Sequence, residues 1–497
     1  LIKNAVSVII TEKETGGEKN LKTAFVIFGA TGDLTKRKLL PALYNLEAEE
    51  RFPKGFDVIA VGRRDLDTSL FREKAAEHIR SHSRNKPKQE IWERLQRKIT
   101  YLQMDFTNPS EYRKLGEAIR GNDLVIFYFA VAPEFFETIT NNLKKGLPED
   151  FKAEMRVMIE KPFGHDLTSA ASLNRLLVNA FGEENIYRID HYLGKEMTQN
   201  ILFIRFANTI FEPLWNKDYI EQVQIISSER IGVEDRGNYY ERSGALSDML
   251  QSHLLQMLSL VAMDMPDSLD TEAIRDKKVE VLSALKPLDA EDLREHLVLG
   301  QYSGAGEIPA YREEKNVAGD SKTETFVALR LFLDSERWRG VPFYILTGKR
   351  LPEKKTEIII QFKKFPSPYN YRSDNLLVFK IQPEEGVYLR FNAKRIGVGD
   401  EIVPVKMDFC QNCEVGINSP EAYERLLDDA IKGDAARFTR WDEIEHSWRF
   451  VDTLKAHKDK LPLRFYSPFT WGPKEAREMI RRDNKFWFNT EDEHENP

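Results

Sequence analysis

From Lys22 to about Lys195 short apolar runs alternate with helical stretches, and beyond about residue 220 that alternation stops. The runs are TAFVIFGA, DVIAVGRR, ITYLQM, LVIFYFA, RVMIEKP and NIYRIDH. Between them, helical patterning runs through KLLPALYNLEAEE and near residues 69–82, 110–120, 134–144 and 167–180. Strands joined by helices are the signature of βαβ units, whose crossovers lay helices over both faces of a parallel sheet. The first half is therefore expected to be a Rossmann-like, doubly wound α/β domain. In the second half IEQVQIISSE, TETFVALRLFLD, EIIIQF, NLLVFKIQ and GVYLRFNAK lie too close together for intervening helices, so they are expected to pair antiparallel. Helical segments at 243–264, 418–432 and 441–456 complete a larger α+β domain. The division that follows is a flexible N-terminal extension at 1–21, a dinucleotide-binding domain at 22–200 and an α+β substrate-binding and oligomerisation domain at 201–497.

Composition narrows the classes of partner. The chain has 497 residues, more than one hydrophobic core of roughly 100–200 residues usually supports. Its 73 basic and 80 acidic residues give a net charge of −7, which provides no global positive field for nucleic acid. The longest apolar run, LVIFYFAVA, falls well short of the roughly 18 residues that span a bilayer and ends at Pro133, so it is read as a buried strand and no membrane partner is expected. Residues 1–20 carry neither the apolar core nor the cleavage site of a secretory signal. The two cysteines, Cys410 and Cys413, form no disulfide framework for a chain of this size, and a reducing, cytoplasmic location is the expectation. Their Cys-x-x-Cys spacing suits a redox pair, but it follows the strand-like EIVPVKMDF with no βαβ pattern nearby, and a zinc site would need two further ligands.

The stretch FGATGDLTKRKLLPAL follows the first strand with glycines at Gly29 and Gly32, one fewer than the dinucleotide fingerprint. Gly29 can make the tight turn and Gly32 can let backbone amides approach a pyrophosphate, with the next helix directing its positive end at the anion. A plain strand-to-helix turn is the alternative. The second strand ends in Arg63 and Arg64 where an acidic residue would take a ribose 2′-hydroxyl, which favours a 2′-phosphate and hence NADP, with Thr31 as a further donor. Two surface arginines would look the same, and Asp65 and Asp67 leave NAD use open.

Three further segments gather chemistry suited to an anionic substrate. VMIEKPFGHDL delivers Lys161 to the carboxyl edge of the parallel sheet, where open α/β folds bind ligands, although a lysine before proline is also an ordinary extended loop residue. RIDHYLGKEMTQN brings Asp190, His191, Tyr192 and Lys195 to the start of a helix, a donor set fitted to a phosphate monoester, or else a polar loop. DMLQSHLLQML puts Asp248 and His253 on a helix apolar on almost every side. A histidine there is either a satisfied core residue or a base of near-neutral pKa whose tautomer Asp190 would fix from another segment.

GATGDLTKRKLLPAL, EKPFGHDL, RIDHYLGKEMTQN, DMLQSHLLQML and RWRGVPFYILTGKRLPEKKTEI together resemble the glucose-6-phosphate dehydrogenase family, in order from about residue 23 to 475. The resemblance implies that His253 takes the C1 hydroxyl proton of glucose 6-phosphate as hydride passes to NADP, giving the 6-phospho-lactone and NADPH in the first step of the oxidative pentose phosphate pathway. It implies that Asp190 orients and charge-stabilises that histidine. His191, Tyr192, Lys195 and Lys354 then match phosphate binders, while Glu229, Asp248, Lys349 and Gln382 match groups that hold the sugar or its phosphate end. Lys161 matches a lysine between sugar and nicotinamide, and Gly29, Ala30, Thr31, Gly32, Asp33, Leu34, Thr35, Lys36 and Arg63 match the cofactor contacts. No metal is implied, NAD is a weaker alternative cofactor, and a homodimer or homotetramer is expected.

The same resemblance flags departures. Phe136 stands where family members often carry a tyrosine near the cofactor. Leu346 replaces an arginine of the second, structural NADP site found in some eukaryotic members, so that site is not expected. CQNC has no counterpart. A dehydrogenase of another phosphorylated aldose is the alternative enzyme; a sensor on a degenerate scaffold is the non-enzymic alternative, and the presence of His253, Asp190 and Lys195 counts against it.

Overall fold

The computed structural model describes residues 21–148, 150–369, 373–397, 399–410 and 419–488. The N-terminal extension expected at 1–21 lies outside them except for its last residue, as do Cys413 and the acidic segment 489–497. Two compact units organise the chain. The first runs up to Ile159 and takes back Asn179–Ile186; the second comprises Glu160–Val178 and everything from Tyr187 onward.

The first unit is built on five parallel strands: β1 (Thr23–Phe28), β2 (Phe56–Gly62), β3 (Ile99–Gln103), β4 (Leu124–Phe129) and β5 (Glu154–Glu160). Their spatial order is β5-β4-β1-β2-β3, so the strand order reverses beside β1, where doubly wound sheets bind ligands. Every residue of β1 and β4 is buried, which explains why TAFVIF and LVIFYF are continuous apolar runs and not alternating ones. The first helix after β2, Thr68–His82, starts where the Asp67 carboxylate accepts from the Leu70 amide at 2.7 Å. A helix at Gln89–Lys98, beyond those expected, fills the connection to β3.

In the second unit β6 (Ile186–Ile189) pairs antiparallel with a two-residue strand, Phe438–Thr439, through Ile189 and Arg188. Among the described residues the main sheet has nine strands. It takes in β7 (Ile220–Ser228), β8 (Leu297–Tyr302), β9 (Phe326–Leu331), β10 (Phe343–Gly348), β11 (Lys355–Phe362), β12 (Leu376–Gln382), β13 (Gly386–Lys394) and β14 (Ile402–Cys410), with Phe438–Thr439 as β15 of the other pairing and β16 (Arg464–Tyr466) at the far edge. The order is β14-β13-β12-β11-β7-β10-β9-β8-β16, antiparallel except for the β7–β10 and β8–β16 pairs. Tyr240, Tyr302, Phe326, Tyr344 and Trp487 are among the side chains packed into one hydrophobic core on it. Thus the expected α/β half and mainly antiparallel α+β half are both present. No helix among the described residues is long and apolar enough to cross a membrane.

One segment differs from its expectation. The single helix expected at 243–264 is interrupted: Gly237–Ala245 breaks at Gly244, Leu246–Leu254 is wound as a π-helix, and Leu255–Ala262 is α-helical. Gly244 has φ 59° and ψ 179°, and a Cβ there would lie 2.2 Å from Oε1 of Glu324, so only glycine fits. Glu324 Oε1 also accepts from the Leu246 amide at 3.2 Å, re-starting the helix after the break. The apolar pattern could not disclose this, because apolar residues on all sides are compatible with either winding.

Candidate active site

Strand register assembles much of the site. β7 and β10 run parallel with Ser228 opposite Gly348, so the next residue of each, Glu229 and Lys349, emerge side by side, and Lys349 Nζ meets Glu229 Oε2 at 2.5 Å. β11 begins beside the same strand end, with Lys355 opposite Ser228, and β12 finishes opposite it with Gln382 against Thr356. The Gln382 amide then donates to Tyr192 Oη at 2.9 Å and to Thr356 Oγ1 at 3.1 Å.

The end of β6 supplies the rest. Asp190 directly follows Ile189, and its Oδ1 accepts from His253 Nδ1 at 2.5 Å and from the Tyr192 amide at 3.0 Å. Both partners of the first contact are almost wholly buried, with side chains 1% and 3% exposed for His253 and Asp190. Since Nδ1–H is donated to a carboxylate, Nε2 carries the free lone pair. The His253 ring stacks on Tyr192 at 4.3 Å between centroids and meets His191 edge-on at 4.6 Å. Lys195 stands 5.5 Å from the Tyr192 ring and directly precedes the helix Glu196–Phe206.

The π-wound segment explains how Asp248 and His253 share one site. Five residues apart, they would point about 140° away from each other at 3.6 residues per turn, whereas i→i+5 winding returns them close to one face. Lys161 Nζ donates to Asp248 O at 2.7 Å and to its Oδ1 at 3.1 Å, and Tyr239 Oη donates to the same Oδ1 at 2.9 Å.

The electrostatics divide the roles. Burial holds the His253 imidazole below its usual pKa, against the raising pull of Asp190. For Asp190 burial works upward, but the charge and hydrogen bond of His253, with His191 and Lys161, outweigh it, and the carboxyl stays well below the usual range. Asp248 follows the same pattern, with Lys161, Lys349 and Arg236 overcoming burial. His191 is driven well below the ordinary histidine value by burial and by His253. Asp190, His191 and His253 bring three donor atoms within 4.8 Å of one another. Two ligands of one zinc ion sit about 3.3 Å apart, so the 2.5 Å Asp190–His253 contact is that of a proton-sharing pair and not of cation ligands.

All of these residues belong to the second unit. Lys354, by contrast, is exposed beside the buried Lys355. Sequence reasoning missed three contributors. Tyr239 holds Asp248; Tyr423 donates to Glu160 Oε1 at 3.1 Å; and Arg425 donates to Gly194 O at 3.0 Å while pairing with Glu196 at 2.8 Å. Tyr423 and Arg425 come from the helix Ala422–Lys432, 263 and 231 residues along the chain from their partners, and no local pattern announces them.

In the first unit, Gly29 has φ 87° and a Cβ there would lie 2.3 Å from Ala130 O, so the tight turn requires glycine. Thr35 donates to Gly29 O at 3.1 Å, and Gly32 N donates to the same carbonyl at 2.9 Å. Ala30 is buried, whereas Asp33 is exposed and pairs with Arg37, and Leu34 precedes the π-wound Thr35–Leu39. Arg63 lies over the Phe106 ring at 5.8 Å. Arg64 instead lines a cavity of about 230 Å³ with Thr31, Lys36, Lys74 and His78. Lys74 and His78 are four apart on Thr68–His82, a spacing that puts both on one face. A glycine turn at a helix start flanked by the three cations Lys36, Arg64 and Lys74 fits an anionic dinucleotide.

Residues 26–200 match glucose-6-phosphate dehydrogenase, NAD binding domain, and residues 202–488 match glucose-6-phosphate dehydrogenase, C-terminal domain. The chain belongs to the glucose-6-phosphate dehydrogenase family. Glucose-6-phosphate 1-dehydrogenase of Bacillus subtilis (strain 168) is 46% identical over 489 residues, covering 94% of this chain and 98% of the relative. A solved glucose-6-phosphate dehydrogenase in complex with its substrate glucose-6-phosphate superposes with a TM-score of 0.86 at 36% identity, over 95% of this chain and 99% of that one. Glucose-6-phosphate 1-dehydrogenase from Mycobacterium avium gives 0.83 at 35%, over 94% and 98%. Within this glucose-6-phosphate dehydrogenase fold, Phe136 is fully buried with its ring 5.7 Å from Phe129, and Leu346 is buried in the main-sheet core.

Proposed function

We infer that the chain oxidises glucose 6-phosphate at C1, with NADP as the preferred acceptor and 6-phospho-D-glucono-1,5-lactone as product. The observation that carries this is the buried His253–Asp190 pair, with Nε2 of the imidazole free and the His191 and Tyr192 rings against it. When bound, the nicotinamide supplies the hydride acceptor. His253 Nε2 takes the C1 hydroxyl proton as the C1–H electron pair departs and the C1 carbonyl forms, and Asp190 stabilises the imidazolium that results. His191, Tyr192 and Lys195 bind the phosphate; Lys354 joins them from its exposed position. Glu229, Asp248, Lys349 and Gln382 hold the hydroxyls and the phosphate end, and Lys161, anchored on Asp248, stands by the reacting carbon. Binding energy from the remote phosphate orients C1 for the reaction.

NADP preference is supported by Arg64 and Lys36, which line one cavity with Thr31, and by Arg63 directly after the second strand. A homodimer or homotetramer is proposed on the broad nine-stranded sheet, whose edge strand β14 exposes Met407 and Phe409. The test is reduced-nicotinamide absorbance on mixing protein, glucose 6-phosphate and NADP or NAD. His253→Asn is expected to abolish turnover while calorimetric affinity for glucose 6-phosphate stays within about threefold. Because the neutral ring is the base and its pKa lies below 6.5, kcat/KM should be full above that pH and fall as pH drops through the lowered value. Wild-type-like turnover by the variant removes His253 from the reaction.

A further inference from the structure

Asp190 has two carboxylate oxygens, and only Oδ1 is occupied, by His253 and the Tyr192 amide. Its Oδ2 is fully buried with no protein donor. Gln256, three residues beyond His253 and likewise buried, leaves Oε1 in the same state. An ionised oxygen and an amide carbonyl withdrawn from solvent without donors are both costly, so each calls for a partner.

Asp190 and Gln256 line one small cavity of about 10 Å³, close to the space one water molecule requires. The hydroxyls around it have already committed their protons to backbone carbonyls. Ser252 Oγ donates to Asp248 O at 3.1 Å, Ser447 Oγ to Glu443 O at 2.8 Å and Thr439 Oγ1 to Arg188 O at 3.3 Å. They can offer lone pairs but no proton to Asp190. Two acceptors without a protein donor, on residues that line one water-sized space, call for a single molecule with two donors. Lys161, which also lines the cavity, spends two of its three ammonium protons on Asp248 and retains one for that molecule's own lone pair.

We propose that a single buried water donates to Asp190 Oδ2 and Gln256 Oε1, and that Gln256 is thereby a positioning residue for the His253–Asp190 pair. This deepens the dehydrogenase reading and rests on it for its kinetic consequences. The water fixes the carboxylate plane so that Oδ1 stays on His253 Nδ1, and its hydrogen bond disperses charge on Asp190. Without it the carboxylate becomes more basic and holds a proton on the pair to higher pH.

The variant is Gln256→Met, which keeps the length and volume of the side chain and removes the acceptor. The expected result is a kcat lowered about fivefold with KM for glucose 6-phosphate unchanged, the size of one net hydrogen bond. The acid limb of kcat/KM is expected to move up by roughly half a pH unit. Gln256→Asn, which restores an amide, should return the limb part-way to its wild-type position. An acid limb that stays in place while thermal stability falls would reduce Gln256 to a packing residue and overturn the proposal. Independently of how the variants fold, diffraction from the wild-type protein must place an ordered oxygen about 2.6–3.2 Å from both Asp190 Oδ2 and Gln256 Oε1. Density without such an atom, or with one touching only one of the two, also overturns it. If the wild type fails to oxidise glucose 6-phosphate, the functional reading is lost, while the diffraction result still decides the water.

Discussion

Replacing Asp190 by asparagine tests the acid–base pair most directly. The substitution preserves shape and keeps an oxygen that can accept from His253 Nδ1, but it removes the charge that faces the imidazolium formed in the reaction. Opposite unit charges about 4 Å apart at an effective dielectric of about 20 attract by about 4 kcal/mol. At about 1.4 kcal/mol per decade, the rate should fall about a thousandfold. Asp190 makes no hydrogen bond to Lys195, Lys349 or Gln382, so KM for glucose 6-phosphate should change less than about threefold. A second signature follows from the sign of the coupling. Asp190 raises the His253 pKa, so its removal should lower that pKa further and shift the acid limb of kcat/KM to lower pH. Initial rates of reduced-nicotinamide absorbance across pH, with a thermal melt to confirm folding, measure both effects. A kcat within tenfold of wild type, or an acid limb that moves upward, would refute the assignment of Asp190 as the charge that stabilises the protonated base.

Three further substitutions probe other parts of the fold. Arg63→Ala should raise KM for NADP at least tenfold more than KM for NAD; equal losses would defeat the 2′-phosphate assignment, and the parallel Arg64→Ala variant reports whether the cavity with Lys36, Lys74 and His78 contributes. Arg425→Ala frees the Gly194 carbonyl and Glu196 from their tether, so KM for glucose 6-phosphate should rise about tenfold in initial-rate assays with kcat less affected; an unchanged KM would show that the turn holds its shape unaided. Gly244→Ala forces a Cβ to 2.2 Å from Glu324 at positive φ and should cost about 2–4 kcal/mol in urea unfolding, whereas a loss under about 1 kcal/mol would mean that the helix break relaxes easily.

The strand segments were legible because burial on both faces writes itself into β1 and β4 as uninterrupted apolar runs. Asp190, His191, Tyr192 and Lys195 were legible for a different reason. They are close in sequence, so a local motif contains them. Gln256 gave no signal: a polar residue in an apolar helix looks like any satisfied core amide until its neighbours are known. Arg64 was legible at the end of the second strand, and Lys74 and His78 could have been found from their four-residue spacing, but their convergence with Lys36 depends on how the helix Thr68–His82 packs. Tyr423 and Arg425 reach their partners over more than 200 residues of sequence, a distance at which a single chain records no pattern.

By itself the sequence determined the two architectures, since hydrophobic period and segment spacing are local properties that only one pairing of strands and helices can bury. It also determined the residue types available for proton transfer and phosphate binding. The tertiary structure alone decided that Glu229 meets Lys349, because that follows from the parallel register of β7 and β10, and that Asp248 and His253 share a face, because that follows from π-winding beyond a glycine break. Register and winding are chosen by packing against elements remote in the chain, and the 2.5 Å contact between residues 190 and 253 exists only once both have been chosen.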